Sequence, residues 1–347
     1  MSVIKYIIKD TDTIREALVA LDGNSHDWQT LFVVDESNRM VGTLTDGDIR
    51  RGLIHGSALE DSVRTVMHQD YKYIREGEYD AQKLKELRIH HILFVPVLDD
   101  DNHIMRVCNL IKYKNFLPVD AVLMAGGKGE RLRPLTEKTP KPLLPVGGKA
   151  IIDHNIDRLI SYGIKHINVT VNYLAEQLEE HFKNPFGEIQ IQTVREPKFL
   201  GTIGSIKFIK KFYNDTVLVM NSDLFTNINY EAFYLHFKEH DADMSVAAVP
   251  YSVSVPYGIF KLEGKRNIKE IVEKPTYDYY ANAGIYLIKS SALNLIPEDT
   301  MYHSTHLMEK LIDMGKKVIR FPLNGTWIDI GNPQEYKRAN ELVEHIH

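Results

Sequence analysis

The sequence predicts an α/β protein of two domains. A mostly parallel sheet with helices on both faces spans residues 118–347, and a smaller α+β domain spans residues 1–117. Three observations carry this. From Val119 onward, apolar strand-like runs alternate with helix-length amphipathic stretches, the pattern of a parallel sheet. Before it, a strand–turn–strand unit occurs twice, beginning at Leu31 and again at Ile92. Pro118 stands between the two textures. The length, 347 residues, also exceeds what one ordinary core organises.

In the first repeat, Leu31–Val34 is an apolar strand ended by the turn formers 35–38. Val41–Leu44 is the return strand, and Asp46 is the expected N-cap of a helix beginning near Gly47. The second repeat, Ile92–Tyr113, has the same apolar run, acidic turn and second apolar run. In the second domain Ala121–Met124 reads as a buried strand and Ile151–Ser161 as a helix closed by Gly163. His166–Val171 reads as a strand and Leu174–Phe182 as a helix. The expected order continues with a helix at Gly201–Lys211, a strand at Thr216–Met220, a helix at Tyr230–Glu239 and a strand at Met244–Val249.

Composition narrows the function classes. With 44% hydrophobic and 26% charged residues, the chain has the balance of a soluble globular protein. A net charge of −5 gives no global field for nucleic acid, so an anion site must be local. The single cysteine, Cys108, excludes an internal disulfide and suits a reducing cytoplasm. Lys5 and Lys9 interrupt the first apolar residues, and no run approaches a membrane span, so neither a signal peptide nor a membrane partner is expected.

The chemistry is concentrated in "AGGKGERLRPLTEKTPKP", Ala125–Pro142. Its glycines allow close backbone approach and its cations point to an anion. A Rossmann fingerprint counted from Gly127 and Gly129 fails at Leu132, which excludes a dehydrogenase on this motif, and no P-loop spacing is present. A loop whose backbone N–H groups accept a nucleotide, with side-chain cations on its phosphates, is the reading that remains. Such a loop belongs at the carboxyl end of a strand, which is where it follows Met124.

"LMAGGKGERLRPLT…KPLLPVGGKAIIDH" resembles the signature of the sugar-1-phosphate nucleotidylyltransferases. "EPKFLGTIGS", "VLVMNSDL", "VEKP", "NAGIYLI" and "WIDIGNPQEY" extend the likeness in order from about Val119 to Leu342. The resemblance implies the Rossmann-like sheet of the nucleotide-diphospho-sugar transferase fold. It also implies attack of a sugar 1-phosphate on the α-phosphorus of a nucleoside triphosphate, with Mg2+ as cofactor. By the same likeness Ala125, Gly126, Gly127 and Gly129 bind the nucleotide, Arg131 the triphosphate, and Lys141 the charge at the α-phosphate. Asp223 and Asp329 hold the metal; Gly201, Thr202 and Asn172 lie near the base. Lys274 holds the sugar phosphate, Glu273 takes the sugar hydroxyls, and Tyr257, Gly258, Asn282 and Gly284 line the sugar pocket. His90, His91, His303 and His306 lack metal-ligand spacing and read as structural or surface residues.

The front repeat resembles a CBS-domain pair. "GTLTDGD" matches that family's nucleotide motif at Gly42, Thr45 and Asp48, whereas "RVCNLIKY" in the second copy lacks the glycine and aspartate. The likeness implies either one adenine-nucleotide site or a dimerising unit, hence a homo-oligomer. This fusion resembles bacterial guanylyltransferases of legionaminic acid biosynthesis, which act on glucosamine 1-phosphate. The "GERLRPLT" variant also occurs in mannose-1-phosphate guanylyltransferases. GTP is therefore the expected donor, with UTP or dTTP as alternatives. A non-catalytic sensor is the rival class, but it has no need of Arg131, Lys141, Asp223, Lys274 and Asp329 together.

Overall fold

A computed structural model describes residues 3–24, 28–76, 80–111 and 113–344. It divides into two compact units, Met1–Leu117 and Pro118–His347.

The first unit is built twice over. Strands Ile7–Lys9, Thr30–Val34 and Met40–Thr45 form one three-stranded sheet, the first pair parallel and the second antiparallel. Ile74–Arg75, Phe94–Leu98 and Ile104–Asn109 repeat that order and those directions. Helices Ile14–Gly23 and Ala81–Ile89 make the two crossovers, since a parallel pair needs a long connection. Tyr6, Phe32, Phe94 and Leu98 form one buried cluster, so the two repeats share a core. The first repeat ends in a further helix, Asp46–Ile54. Its cap is Thr45 rather than the expected Asp46. Thr45 Oγ1 accepts from the Asp48 N–H, and Asp48 Oδ2 accepts from the Thr45 N–H at 2.9 Å, closing a capping box. That reciprocal pair outcompetes Asp46, whose carboxylate turns to Arg50 instead.

The second unit is centred on a seven-stranded sheet. Its order is Gln192–Arg195, Ile167–Val171, Asp120–Met124, Thr216–Asn221, Thr276–Lys289, Met244–Ser254 and Val318–Pro322. The first four strands are parallel; Thr276–Lys289 runs antiparallel to both neighbours. Ala121–Leu123 and Val217–Met220 are almost fully buried, which explains their unbroken apolar sequence. From Asp120–Met124 the chain first builds outward to Ile167–Val171 and Gln192–Arg195, then returns to place Thr216–Asn221 on the other side. That reversal opens a crevice at the carboxyl end of Met124.

The expected Gly201–Lys211 helix is not formed; only a 3-10 segment, Gly204–Phe208, is present. The Ile203 and Gly204 N–H groups donate to the Tyr302 carbonyl, and the Tyr302 N–H donates to Leu200. The Leu200 carbonyl and the Gly204 N–H, which would make the first bond of an α-helix here, are thus both taken by Tyr302. The expected Met244–Val249 strand runs on to Ser254. No described helix is long and apolar enough to cross a membrane.

Candidate active site

The crevice is a cavity of about 590 Å³, lined by Ala125, Gly126, Gly127, Gly129, Arg131, Lys141, Asn172 and Asp223 among others. The glycine loop can sit this tightly only without side chains. Gly129 has φ +63°, and a Cβ there would lie 3.0 Å from Thr136 and 3.1 Å from Lys141. A Cβ on Gly126 would lie 2.5 Å from Glu196 Oε1.

Lys141 follows Pro140 in a 3-10 turn and is buried. Its Nζ bonds Asp223 Oδ2 and lies 3.8 Å from Asp329 Oδ1. The two aspartates, far apart in sequence, meet because Leu224–Thr226 pairs antiparallel with Trp327–Asp329, setting Leu224 opposite Asp329. The Ile330 N–H donates to the Asp223 carbonyl at 3.2 Å. Buried Asn155 fixes the pair from beneath, donating from Nδ2 to the Leu224 carbonyl at 2.8 Å.

This cluster is an electrostatic compromise. Burial and the neighbouring Asp223 charge push the Asp329 carboxyl above its usual range, while Lys141 and Arg131 pull it down. Asp223 Oδ1 is buried without a hydrogen-bond partner. A buried carboxylate oxygen left so is costly in protein alone. Among the described residues no three His, Cys, Asp or Glu side chains converge on one point. Two carboxylates with one orphan oxygen nonetheless fit Mg2+, which takes one or two protein carboxylates and completes its shell with phosphate and water oxygens.

Arg131 lines the cavity, and a Cβ on Gly331 would lie 3.0 Å from its Nη2. Gly331 thus lets the guanidinium lie flat on the backbone that follows Asp329. Arg133 is exposed and faces Glu130 at 4.0 Å. Arg131→Ala is therefore expected to lower turnover about tenfold more than Arg133→Ala; an equal or larger loss at Arg133 would move the phosphate contact.

The sugar-end residues lie outside the residues lining this cavity. Gly258 and Glu273 face each other: a Cβ on Gly258 would lie 2.9 Å from Glu273 Oε2. Glu273 and Lys274 are exposed, Lys274 at φ +43°, and Tyr257 is 73% exposed. Asn282 accepts from the Gly284 N–H and donates to the Tyr286 hydroxyl, each at 2.9 Å. Gly284 has φ +72° and leaves room for the Asn221 amide. Gly201, at φ +80°, packs on the Tyr302 carbonyl, and Thr202 Oγ1 accepts from the Ser304 N–H at 3.0 Å.

The sequence reading missed Tyr286 and Ser304. Ser304 Oγ donates to the Tyr286 hydroxyl at 2.9 Å, so one buried phenol joins the Thr202 loop to Asn282. It also missed Glu196, Phe199, Ser222 and Gly331. Glu196 alone carried a usable signal, as an acid inside the "EPKFLGT" match. Its carboxyl is pushed up by burial and accepts from the Leu200 N–H at 3.3 Å. In the first unit, Thr45 and Asp48 already hold each other, and Asp48 also pairs with Arg51 at 2.6 Å.

The chain is similar to known proteins. Residues 120–345 match the nucleotidyl transferase family and residues 4–55 the CBS domain. A protein of Sulfolobus acidocaldarius named for mannose-1-phosphate guanyltransferase activity is 33% identical over 64% of this chain and 62% of that protein. The bifunctional protein GlmU of Methanococcus maripaludis is 31% identical over 64% of this chain and 54% of that protein. This chain thus matches between about half and three-fifths of each relative's length. A Bacillus anthracis structure named for glucose-1-phosphate thymidylyltransferase activity superposes with a TM-score of 0.52 at 25% identity, covering 66% of this chain and 96% of that one. With the glycine loop, the Lys141–Asp223–Asp329 cluster and the match over residues 120–345, the chain belongs to the nucleotidyl transferase family, with a CBS domain preceding the transferase region.

Proposed function

We propose that the chain transfers a nucleotidyl group, GMP from GTP, to a hexose or hexosamine 1-phosphate. A sugar-phosphate oxygen attacks the α-phosphorus, the bond from that phosphorus to the bridging oxygen breaks, and pyrophosphate leaves with the electron pair. The observation that carries this is Lys141 set between Asp223 and Asp329 at the rim of a glycine-loop cavity. Lys141 neutralises charge growing at the α-phosphate, and Arg131 holds the oxygens that depart as pyrophosphate. Asp223 and Asp329 would hold Mg2+, which would add charge neutralisation on the phosphates. The nucleophile is already ionised, so no general base is required. Glu273, Lys274, Asn282, Gly284, Tyr257 and Gly258 are proposed as the sugar end.

The name of the Sulfolobus acidocaldarius relative supports GTP. Glu196 is proposed to select guanine, although its side chain is buried behind Gly126 and outside the residues lining the cavity, from where it must turn to meet the base. A carboxylate accepts two adjacent donors, which guanine offers at N1 and N2. Uracil and thymine offer one N–H between two carbonyls. Glu196 touches Gly126, and Asn172 Nδ2 donates to its backbone carbonyl at 3.3 Å, so it borders the loop proposed to face the base. The name of the thymidylyltransferase structure favours dTTP as the second reading, with UTP as the further alternative. A matrix of GTP, UTP, dTTP, CTP and ATP against hexose and hexosamine 1-phosphates, read by pyrophosphate release, decides between them. GTP is expected to be fastest, with the aminohexose as preferred acceptor. Glu196→Gln should reduce the GTP-over-UTP ratio about tenfold or more. An unchanged ratio would remove Glu196 from base selection; UTP or dTTP fastest in the wild type would overturn the guanylyl assignment.

An adenine nucleotide at Thr45 and Asp48 is proposed as the regulatory ligand. It must displace Arg51 from Asp48 to use that carboxylate. Calorimetry of AMP and ATP on the full chain tests it. Asp48→Ala is expected to abolish binding, and no binding to the wild type at millimolar nucleotide would leave association as the role of this domain.

A further inference from the structure

Two long strands of the transferase unit run past the end of their own sheet. Val318–Pro322 pairs only with Met244–Ala248, and Thr216–Asn221 stops pairing at Ile285. From there Val249–Ser254 and Thr276–Ala281 continue as a two-stranded ribbon. Tyr251 stands opposite Tyr279 and Val253 opposite Tyr277, so these four share one face. The other face begins with Pro250 opposite Tyr280 and is polar beyond them, with Ser252 bonded to Asp278 and Ser254 to Thr276.

A hairpin follows at once, Ile259–Glu263 with Asn267–Val272. The Val255 N–H donates to the Pro275 carbonyl at 2.9 Å and ties the hairpin's base to the ribbon's end. Phe260 faces Ile271 and Leu262 faces Ile268; a bulge between Lys261 and Leu262 keeps all four on one side. Lys261 and Glu270 pair at 2.9 Å on the opposite side. Each ribbon is therefore amphipathic, with its apolar face turned to solvent.

The exposure is large. Tyr251 and Tyr279 are 60% and 56% exposed, Phe260 and Ile271 53% and 59%, Leu262 and Ile268 55% and 57%. Two-stranded ribbons are marginal in water unless an apolar face is covered. Together the eight side chains expose roughly 700 Å², taking ~150–250 Å² for a whole aromatic side chain. Each partner of a standard stable interface contributes about 800 Å². A two-fold interface must be complementary to itself, which a patch of one charge sign cannot be. None of the eight paired side chains on these faces is charged, so they meet their copies without repulsion. We infer that these two faces form a two-fold interface with a second copy of this chain.

Sedimentation equilibrium of the full chain, from nanomolar to tens of micromolar, tests this. The wild type is expected at twice the chain mass. Tyr251→Ser with Tyr279→Ser, and separately Phe260→Ser with Ile271→Ser, should raise the dissociation constant about a hundredfold or more. A monomeric wild type would overturn the inference, as would variants that dimerise as tightly as the wild type. Hydrogen exchange on the wild type removes any dependence on how the variants fold. Amides of 250–254, 259–272 and 276–280 should lose protection on dilution through the dissociation constant; protection that ignores dilution contradicts the interface.

Discussion

Asp223→Asn in the full chain is expected to lower turnover at least about a hundredfold, with a folded protein of nearly unchanged melting temperature. The substitution keeps the side chain's shape and removes its charge. Lys141 is not left alone, because Asp329 remains 3.8 Å away. What is lost is the buried Oδ1, which has no partner in the protein and is the strongest reason to expect a cation there. The Mg2+ concentration for half-maximal rate should rise, and the melting-temperature increase that Mg2+ gives the wild type should vanish. Asp329→Asn should cost less, at least about tenfold, because the Asp329 side chain is 42% exposed against 22% for Asp223. Normal turnover of both variants in limiting Mg2+ would show that these carboxylates do not hold the metal.

Lys141→Met is expected to lower turnover about a thousandfold, the order of loss when one preorganised donor to a developing charge is removed. Its second signature separates charge from packing. Methionine nearly fills the lysine's volume, so the buried turn at Pro140–Leu143 keeps its contacts. Asp223 and Asp329 then face each other without the ammonium, with Arg131 the remaining cation on Asp329, so they gain more from a bound Mg2+. Added Mg2+ should therefore raise the melting temperature of Lys141→Met more than that of the wild type. A variant with full activity, or one indifferent to Mg2+ in stability, would reduce Lys141 to a structural cation.

These residues were legible in the sequence because strand patterning and local motif coincide. The apolar run 121–124 followed by Gly126, Gly127 and Gly129 announces a strand leading into a loop. Asp223 just past a second apolar run is placed by the same logic, and the structure brings it to Lys141. The failures share a different cause. The Gly201–Lys211 stretch has helix-compatible residues, but its backbone is captured by Tyr302, a hundred positions on. Local propensity carries no information about such a partner. Asp46 and Thr45 are both good caps; only the reciprocal bond to Asp48 selects Thr45. Tyr286 lies inside the "NAGIYLI" match with no signal of its own, and its role rests on a strand alternation that carries its hydroxyl to Ser304 and Asn282. The antiparallel run of Thr276–Lys289 inside a parallel sheet is likewise a matter of long-range order, which periodicity does not encode.

The central claim is that a sugar phosphate attacks the α-phosphorus and pyrophosphate leaves. It is tested most directly by following label from GTP in the full chain with Mg2+ and a hexosamine or hexose 1-phosphate. With α-32P GTP the label should appear in a sugar nucleotide, and with γ-32P GTP in pyrophosphate, one for each sugar phosphate consumed and none without it. Label released as inorganic phosphate, or pyrophosphate formed at the same rate without the sugar phosphate, would contradict the account.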